Sequence, residues 1–329
     1  MSMQEIDDDE AARFLDEQDK LYGVNNSAPV EETPAPNLGK MTGYDQTVTL
    51  SPAAESSWKL LKLENLPSKG MFYPEKMELL LRSAKTKEIR HWSTIDEDDP
   101  IDTREKINFI LNSCIKIHNS GSFPLNFNDL LEVDRYHILF RIYELTFPNQ
   151  ENKLWANIRC SNDKCGHVNR VQILSNNLRG FAVPEELMKW YSPEERCFKI
   201  ISEKLNETFT INMPSIGVEA KFRQKKADEL ARGTEIDSAF YEFGPYLLNN
   251  WRSISPSTLT DLKFASNSWP ENKFVFIHKF TKKLKDASLN KAACMCEKCK
   301  QITESHIFLG GSFTVKDIFI ISAGLDELI

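Results

Sequence analysis

The sequence predicts an α+β fold built from a duplicated unit, each copy running from a β-hairpin through helices to a strand and a cysteine knuckle. Three observations predict it. Two short cysteine pairs lie far apart in the chain, motifs recur in the same order in both halves, and strand-like segments give way to helical periodicity between them. The two knuckles are expected to join in one zinc-ribbon-like site, behind a disordered acidic N-terminal tail.

The tail is defined by charge. Residues 1–57 carry twelve acidic groups against Arg13, Lys20 and Lys40, a net of −9. The whole chain carries −7, so the difference leaves the remaining residues at +2, close to neutral. A folded part of that balance has no field that advertises nucleic acid. Within the tail, Ile6, Phe14, Leu15 and Leu21 sit among carboxylates, whereas residues 25–57 are rich in Pro, Ser, Thr and Glu. Such a composition cannot bury enough surface to offset ordering entropy, so it reads as a linker. The first stretch reads either as a solubilising tail or as a docking peptide centred on Phe14 and Leu15.

With 41% hydrophobic and 10% aromatic residues, the 329-residue chain can support a sizeable core. The predicted organisation is a tail over 1–57, a first repeat unit over 58–180 and a second over 181–329. No stretch approaches the roughly 18 apolar residues that a membrane span needs. Without a signal-like apolar segment, the seven cysteines point to a reducing cytosol, where clustered cysteines bind metal more often than they form disulfides.

In the first unit, residues 58–66 read as a strand, Pro67-Ser68-Lys69-Gly70 as a turn and residues 77–82 as a second strand. A helix is expected over 86–92 and the acidic run Asp96-Glu97-Asp98-Asp99-Pro100 interrupts it. Helical spacing resumes over 103–117, through Ile107, Ile110, Leu111, Cys114 and Ile115. A further helix is predicted over 128–145, with Leu130, Leu131, Ile138, Leu139 and Ile142 inward. Residues 155–159 then form a strand leading into Cys160.

The second unit repeats the plan. Leu66-Pro67-Ser68-Lys69-Gly70 has a counterpart in Met213-Pro214-Ser215-Ile216-Gly217. Residues 81–89 align without a gap on 222–230, keeping Arg, Lys and Glu in place (Arg82, Lys85 and Glu88 on Arg223, Lys226 and Glu229). A helix bearing Phe274, Val275, Ile277, Phe280 and Leu284 precedes Cys296, as residues 128–145 precede Cys160.

The cysteines carry the chemistry. Cys160-Ser-Asn-Asp-Lys-Cys165-Gly166 is one pair and Cys296-Glu-Lys-Cys299 the other. Structural zinc takes four tetrahedral ligands, and two short cysteine pairs commonly supply them. Neither half holds a full set, so Cys160, Cys165, Cys296 and Cys299 are expected to share one structural Zn2+ between the repeats. Cys294 is an alternative to Cys296, which is preferred for its two-residue spacing from Cys299. Zinc binding of about 10–16 kcal/mol rivals the whole stability of a typical domain. Gly166 suits the turn because it accepts positive φ. Cys114 and Cys197 read as plain buried thiols.

Motifs for other chemistry are lacking. The chain has no nucleophile elbow, phosphate-binding glycine loop or His-Glu-x-x-His helix, and Gly310-Gly311 reads as a turn. The carboxylates between Asp96 and Asp102 lack the glycine and terminal Glu of a calcium loop, so they read as a solvated loop. His167 and His306 lie near the pairs, but four thiolates leave no vacancy. His118, His137 and His278 read as ordinary helix residues, and Lys282-Lys283-Leu284-Lys285 as a small basic face. No catalytic or cofactor-binding residue beyond the metal ligands is predicted.

These features resemble the baseplate hub proteins of T4-type contractile-tailed phages. The resemblance rests on the Pro-Ser-x-Gly turn leading to a strand and on the helix starts at Arg82 to Glu88 and Arg223 to Glu229. It also rests on Ile158-Arg159-Cys160, Cys165-Gly166 and Val171-Gln172-Ile173-Leu174. It covers residues 60–180 well and 205–325 less clearly. Four residues rather than two separate the first pair, the second lacks a trailing glycine, and the acidic tail departs from the family. The resemblance implies a non-enzymatic structural or assembly role in the tail baseplate, in the virion or in the host cytoplasm during assembly, with other tail proteins as partners. The alternative is a zinc-ribbon nucleic-acid-binding or transcription-associated protein, to which lysines near the second pair would contribute.

Overall fold

Alternation of buried and exposed positions builds the first sheet. The structure, a computed structural model, describes residues 57–118, 124–148, 154–175, 178–179, 181–203, 206–288, 291–306 and 318–319. In it β1 (Lys59–Leu61), β2 (Glu78–Leu81) and β3 (Ile115–His118) pair antiparallel in that order. Leu61, Leu79, Leu81 and Ile115 turn inward, as period-two geometry requires, while Leu60 faces out. The described residues all fall within one compact unit, Leu50–Ile329. The docking-peptide reading at Phe14 and Leu15 and the Gly310-Gly311 turn lie outside the described residues.

Helices α1 (Thr86–Trp92) and α2 (Pro100–Cys114) connect β2 to β3. The Glu88 carboxylate starts α1 by accepting the Lys85 N–H at 2.7 Å and pairing with Arg82 at 2.9 Å. Asp99 caps α2 by accepting the Ile101 N–H, and Pro100 occupies its first position. The acidic run is therefore partly a helix start. The helix expected over 103–117 begins earlier and ends at Cys114, because Ile115 and Ile117 enter the ladder opposite Leu81 and Leu79.

The predicted helix over 128–145 also shortens, to α3 (Arg135–Thr146). Leu130 and Leu131 are held extended against the second half, and a 3-10 turn over Glu132–Asp134 follows: Glu132 N–H donates to the Pro214 carbonyl at 3.0 Å and Ile216 N–H to the Leu130 carbonyl at 2.8 Å. Tertiary partners thus take the backbone groups that a helix would have used. Just beyond, buried Asp134 accepts from Ser68 N–H (2.9 Å), Ser68 Oγ (2.6 Å) and Tyr73 Oη (2.8 Å).

Two hairpins and a third small sheet follow. Strand β4 (Trp155–Arg159) pairs with β5 (Val168–Gln172), and β6 (Leu178–Arg179) joins a later hairpin. The third sheet comprises β7 (Tyr191–Ser192), β8 (Cys197–Ser202) and β9 (Glu207–Ile211). Then come α4 (Ile216–Ala231), capped by Ser215, α5 (Ser238–Phe243), α6 (Pro256–Asn267), capped by Ser255, and α7 (Glu271–Ala287). Strands β10 (Lys291–Met295) and β11 (Ile302–His306) close the series. No helix among the described residues is long and apolar enough to cross a membrane.

Two apolar clusters hold these elements. The larger runs from Leu61 through Trp92, Phe140 and Phe198 to Leu284 and Ala292, drawing on both halves of the sequence. The smaller gathers Val218, Phe222, Phe240, Phe243, Ile254, Leu259 and Ile277 among α4 to α7.

The fold is mixed α+β with small antiparallel sheets, and in each half a three-stranded sheet precedes a cysteine-bearing hairpin. The aligned segments do not share secondary structure, however. Residues 81–89 span the end of β2 and the start of α1, whereas 222–230 lie wholly within α4. The matched glycines also serve different ends. Gly70 has φ +75°, whereas a Cβ on helical Gly217 would lie 2.5 Å from Trp251 Cγ.

Candidate metal centre

The strands on either side of each cysteine pair make it a hairpin tip. Arg159 and Val168 close the first loop and Met295 and Ile302 the second. Inside each closing pair, the first cysteine makes the same hydrogen bond: Cys160 N–H donates to the His167 carbonyl at 2.7 Å, and Cys296 N–H to the Gln301 carbonyl at 2.8 Å. After the second cysteine the backbone turns left-handed in both, with Gly166 at φ +57° and Lys300 at φ +61°. Lys300 therefore occupies the glycine's conformational place in the second knuckle, where the sequence shows no glycine.

The two tips meet. Sγ of Cys160 lies 3.5 Å from Sγ of Cys299, and Sγ of Cys165 lies 3.8 Å from Sγ of Cys296. All four sulfurs fall within 4.8 Å of one another. The separations are far longer than the roughly 2.05 Å of a disulfide. Zn–S bonds of about 2.3 Å in a tetrahedron place sulfurs about 3.8 Å apart, so the donor set fits a tetrahedral thiophilic cation. The first cysteine of each pair is buried and the second half-buried. The four residues brought together are those expected from the spacing. Cys294 is not among them and packs against the larger apolar cluster.

Backbone N–H groups, burial and contact among the sulfurs shift two of the thiols in opposite directions. The N–H of Cys299 chiefly, helped by that of Lys298, lowers the Cys296 thiol to about 6 against the cost of burial. Cys160 moves the other way, to about 12: the Asn162 N–H favours its thiolate, but burial and hydrogen bonds with Cys299, Cys296 and Cys165 outweigh it. A divalent cation bound by the four sulfurs would displace whatever protons they carry.

Two buried polar side chains tie the tips crosswise. Ser161 N–H, just after Cys160, donates to Thr303 Oγ1 of β11 at 2.8 Å. Glu297 N–H, just after Cys296, donates to Asn169 Oδ1 of β5 at 3.0 Å. Each acceptor also donates into β4, Asn169 Nδ2 to the Ile158 carbonyl (3.1 Å) and Thr303 to the Arg159 carbonyl (3.3 Å). His167 Nε2 and Glu297 Oε2 add a contact between the tips at 3.8 Å.

Asn169 and Thr303 were missed from the sequence, although a signal exists. Each lies four positions after the second cysteine of its pair, behind an exposed apolar residue, in Cys165-Gly-His-Val-Asn169 and Cys299-Lys-Gln-Ile-Thr303.

The remaining candidates fall elsewhere. Cys114 and Cys197 are buried, and burial raises both thiols, Cys114 to about 12. His118 ends β3 rather than a helix, His137 is buried in α3 and His278 faces Glu242 at 3.4 Å. A cleft of about 270 Å³ beside Tyr73 contains Asp129, but Trp251 Nε1 (2.9 Å) and the Arg252 guanidinium already occupy that carboxylate.

In comparisons with known proteins, no family model, no curated protein and no solved structure matches the chain.

Proposed function

We propose that this protein is a structural or assembly component of a phage tail baseplate, a non-catalytic scaffold whose two halves are clamped by one structural zinc. The observation that carries the reading is the convergence of Cys160, Cys165, Cys296 and Cys299 from hairpins more than 130 positions apart. Four thiolates fill a tetrahedral ion, which leaves no position for substrate or water. Zinc bound there would supply a cross-link, and the chain's own part is to hold both tips at the right separation. The proposed duplication is supported at the hairpins, where backbone hydrogen bonds, left-handed residues and crosswise acceptors correspond. The baseplate assignment rests on the sequence resemblance together with this clamp. It is tested by purifying the tagged full chain from infected cells and identifying co-purifying proteins by mass spectrometry. Contractile-tail components in stoichiometric amounts are expected, and their absence would count decisively against the assignment.

A second reading, a zinc-ribbon nucleic-acid binder, is favoured by exposed Lys298 and Lys300 on the second tip. Several neighbouring cations are already paired, Lys283 with Glu186, Lys285 with Glu242 and Lys291 with Glu304. Affinity for DNA or RNA that falls steeply with salt would favour this reading over the scaffold.

A further inference from the structure

We infer that Asn169 and Thr303 are the positioning residues of the metal centre, each fixing the opposite knuckle so that the four sulfurs are held at metal-binding separation. The inference rests on the zinc reading and goes beyond it, because it assigns the rigidity of the site to two side chains that do not touch the ion.

The two residues correspond in place and in the crosswise N–H each accepts. Asn169 is 2% exposed and Thr303 1%, and each stands four residues after the second cysteine of its own hairpin. Each accepts the N–H that follows the first cysteine of the other hairpin, at 3.0 and 2.8 Å. The hydrogen bonds inside each tip, from Cys160 to His167 and from Cys296 to Gln301, fix the shape of one knuckle only. They leave the distance between knuckles free. The crosswise pair sets that distance, and with it the 3.5 Å and 3.8 Å contacts between sulfurs of different hairpins. Both bonds are part-buried, so loss of either side-chain acceptor removes a hydrogen bond that water replaces only in part, and favours separation of the tips. Outer-shell partners of metal ligands act in this way, by removing the reorganisation that binding would otherwise require.

The test is the rate at which the zinc-loaded full chain gives up its metal to a chromogenic chelator. Asn169→Leu and Thr303→Val should each release zinc roughly 10- to 100-fold faster than the parent. Thr303→Ser keeps the hydroxyl and should release at close to the parent rate. Thr281→Val removes a buried hydroxyl of α7 that bonds the Ile277 carbonyl, and controls for general loosening. Its release rate should not change. Parent-like release from both Asn169→Leu and Thr303→Val would overturn the inference while leaving the metal centre standing, as would equal acceleration by Thr281→Val. A parent chain that binds no zinc would instead remove the metal reading itself, and the inference with it.

Discussion

Sγ of Cys160 and Sγ of Cys299 lie 3.5 Å apart although 139 positions separate them. The contact is an outcome of the whole fold. The chain between them supplies a three-stranded sheet, four helices and much of both apolar clusters before it returns to the same point. A cation held there ties the stability of the two hairpins together.

Asp134, just before α3, and His137, within it, titrate in opposite directions. Burial raises Asp134 from 3.8 to about 6, against the hydrogen bonds from Ser68 and Tyr73. Burial lowers His137 from 6.5 to about 4, and the Arg141 charge adds to that effect. The native state binds the extra proton at Asp134, so that group's contribution to stability is present below about pH 4 and falls as pH rises to about 6. At His137 the unfolded chain binds the extra proton, so its contribution grows from about pH 4 to about 6.5. Each amounts to about 3 kcal/mol at 1.36 kcal/mol per unit, with opposite sign. Urea denaturation between pH 4 and 6.5 should therefore show a steeper rise of stability with pH in Asp134→Asn than in the parent. His137→Gln should show the reverse, and identical slopes in all three proteins would refute the pairing.

Gly217 is required by space. Its hypothetical Cβ lies 2.5 Å from Trp251 Cγ and 2.9 Å from Trp251 Cβ, so Gly217→Ala must push the indole off α4. Overpacking of this kind typically costs about 1–3 kcal/mol. The expected result is that loss in urea denaturation, with the metal site still able to load. Unchanged stability would mean that Trp251 has room to move.

Lys300 carries strain that Gly166 avoids. A non-glycine residue at left-handed φ costs about 1–2 kcal/mol, whereas the added freedom of an unfolded glycine costs about 0.4–1 kcal/mol. Relief outweighs entropy, so Lys300→Gly should stabilise the zinc-loaded protein, by about 0.5–1 kcal/mol. Gly166→Lys should destabilise it by a similar amount. Thermal denaturation of both variants checks the sign, and the account fails here if Lys300→Gly lowers the melting temperature.

Helices with a full apolar stripe were legible in the sequence. Ile277, Phe280 and Leu284 mark α7, and α1 was placed at its observed limits. Boundaries failed where tertiary hydrogen bonds competed with helix, as at Leu130 to Glu132, or where β-branched residues joined a ladder, as at Ile115 and Ile117. The four converging cysteines were legible because short pairs are a local signal. The acceptors Asn169 and Thr303 share a local position after their cysteines, but which groups they bond depends on how two distant hairpins face each other, which no local pattern carries. The match between residues 81–89 and 222–230 misled because charge pattern alone does not distinguish a strand end from a helix interior. Arg82 pairs with Glu88, whereas Arg223 pairs with Glu219 and Glu229 with Lys263.

The most direct test of the clamp is zinc stoichiometry by native mass spectrometry on the full chain, Cys160→Ser and Cys296→Ser. A shared centre predicts one zinc per parent chain and none tightly held by either variant, since each substitution breaks the same site from a different hairpin. Two zinc ions per parent chain, or a full complement retained by either variant, would contradict it.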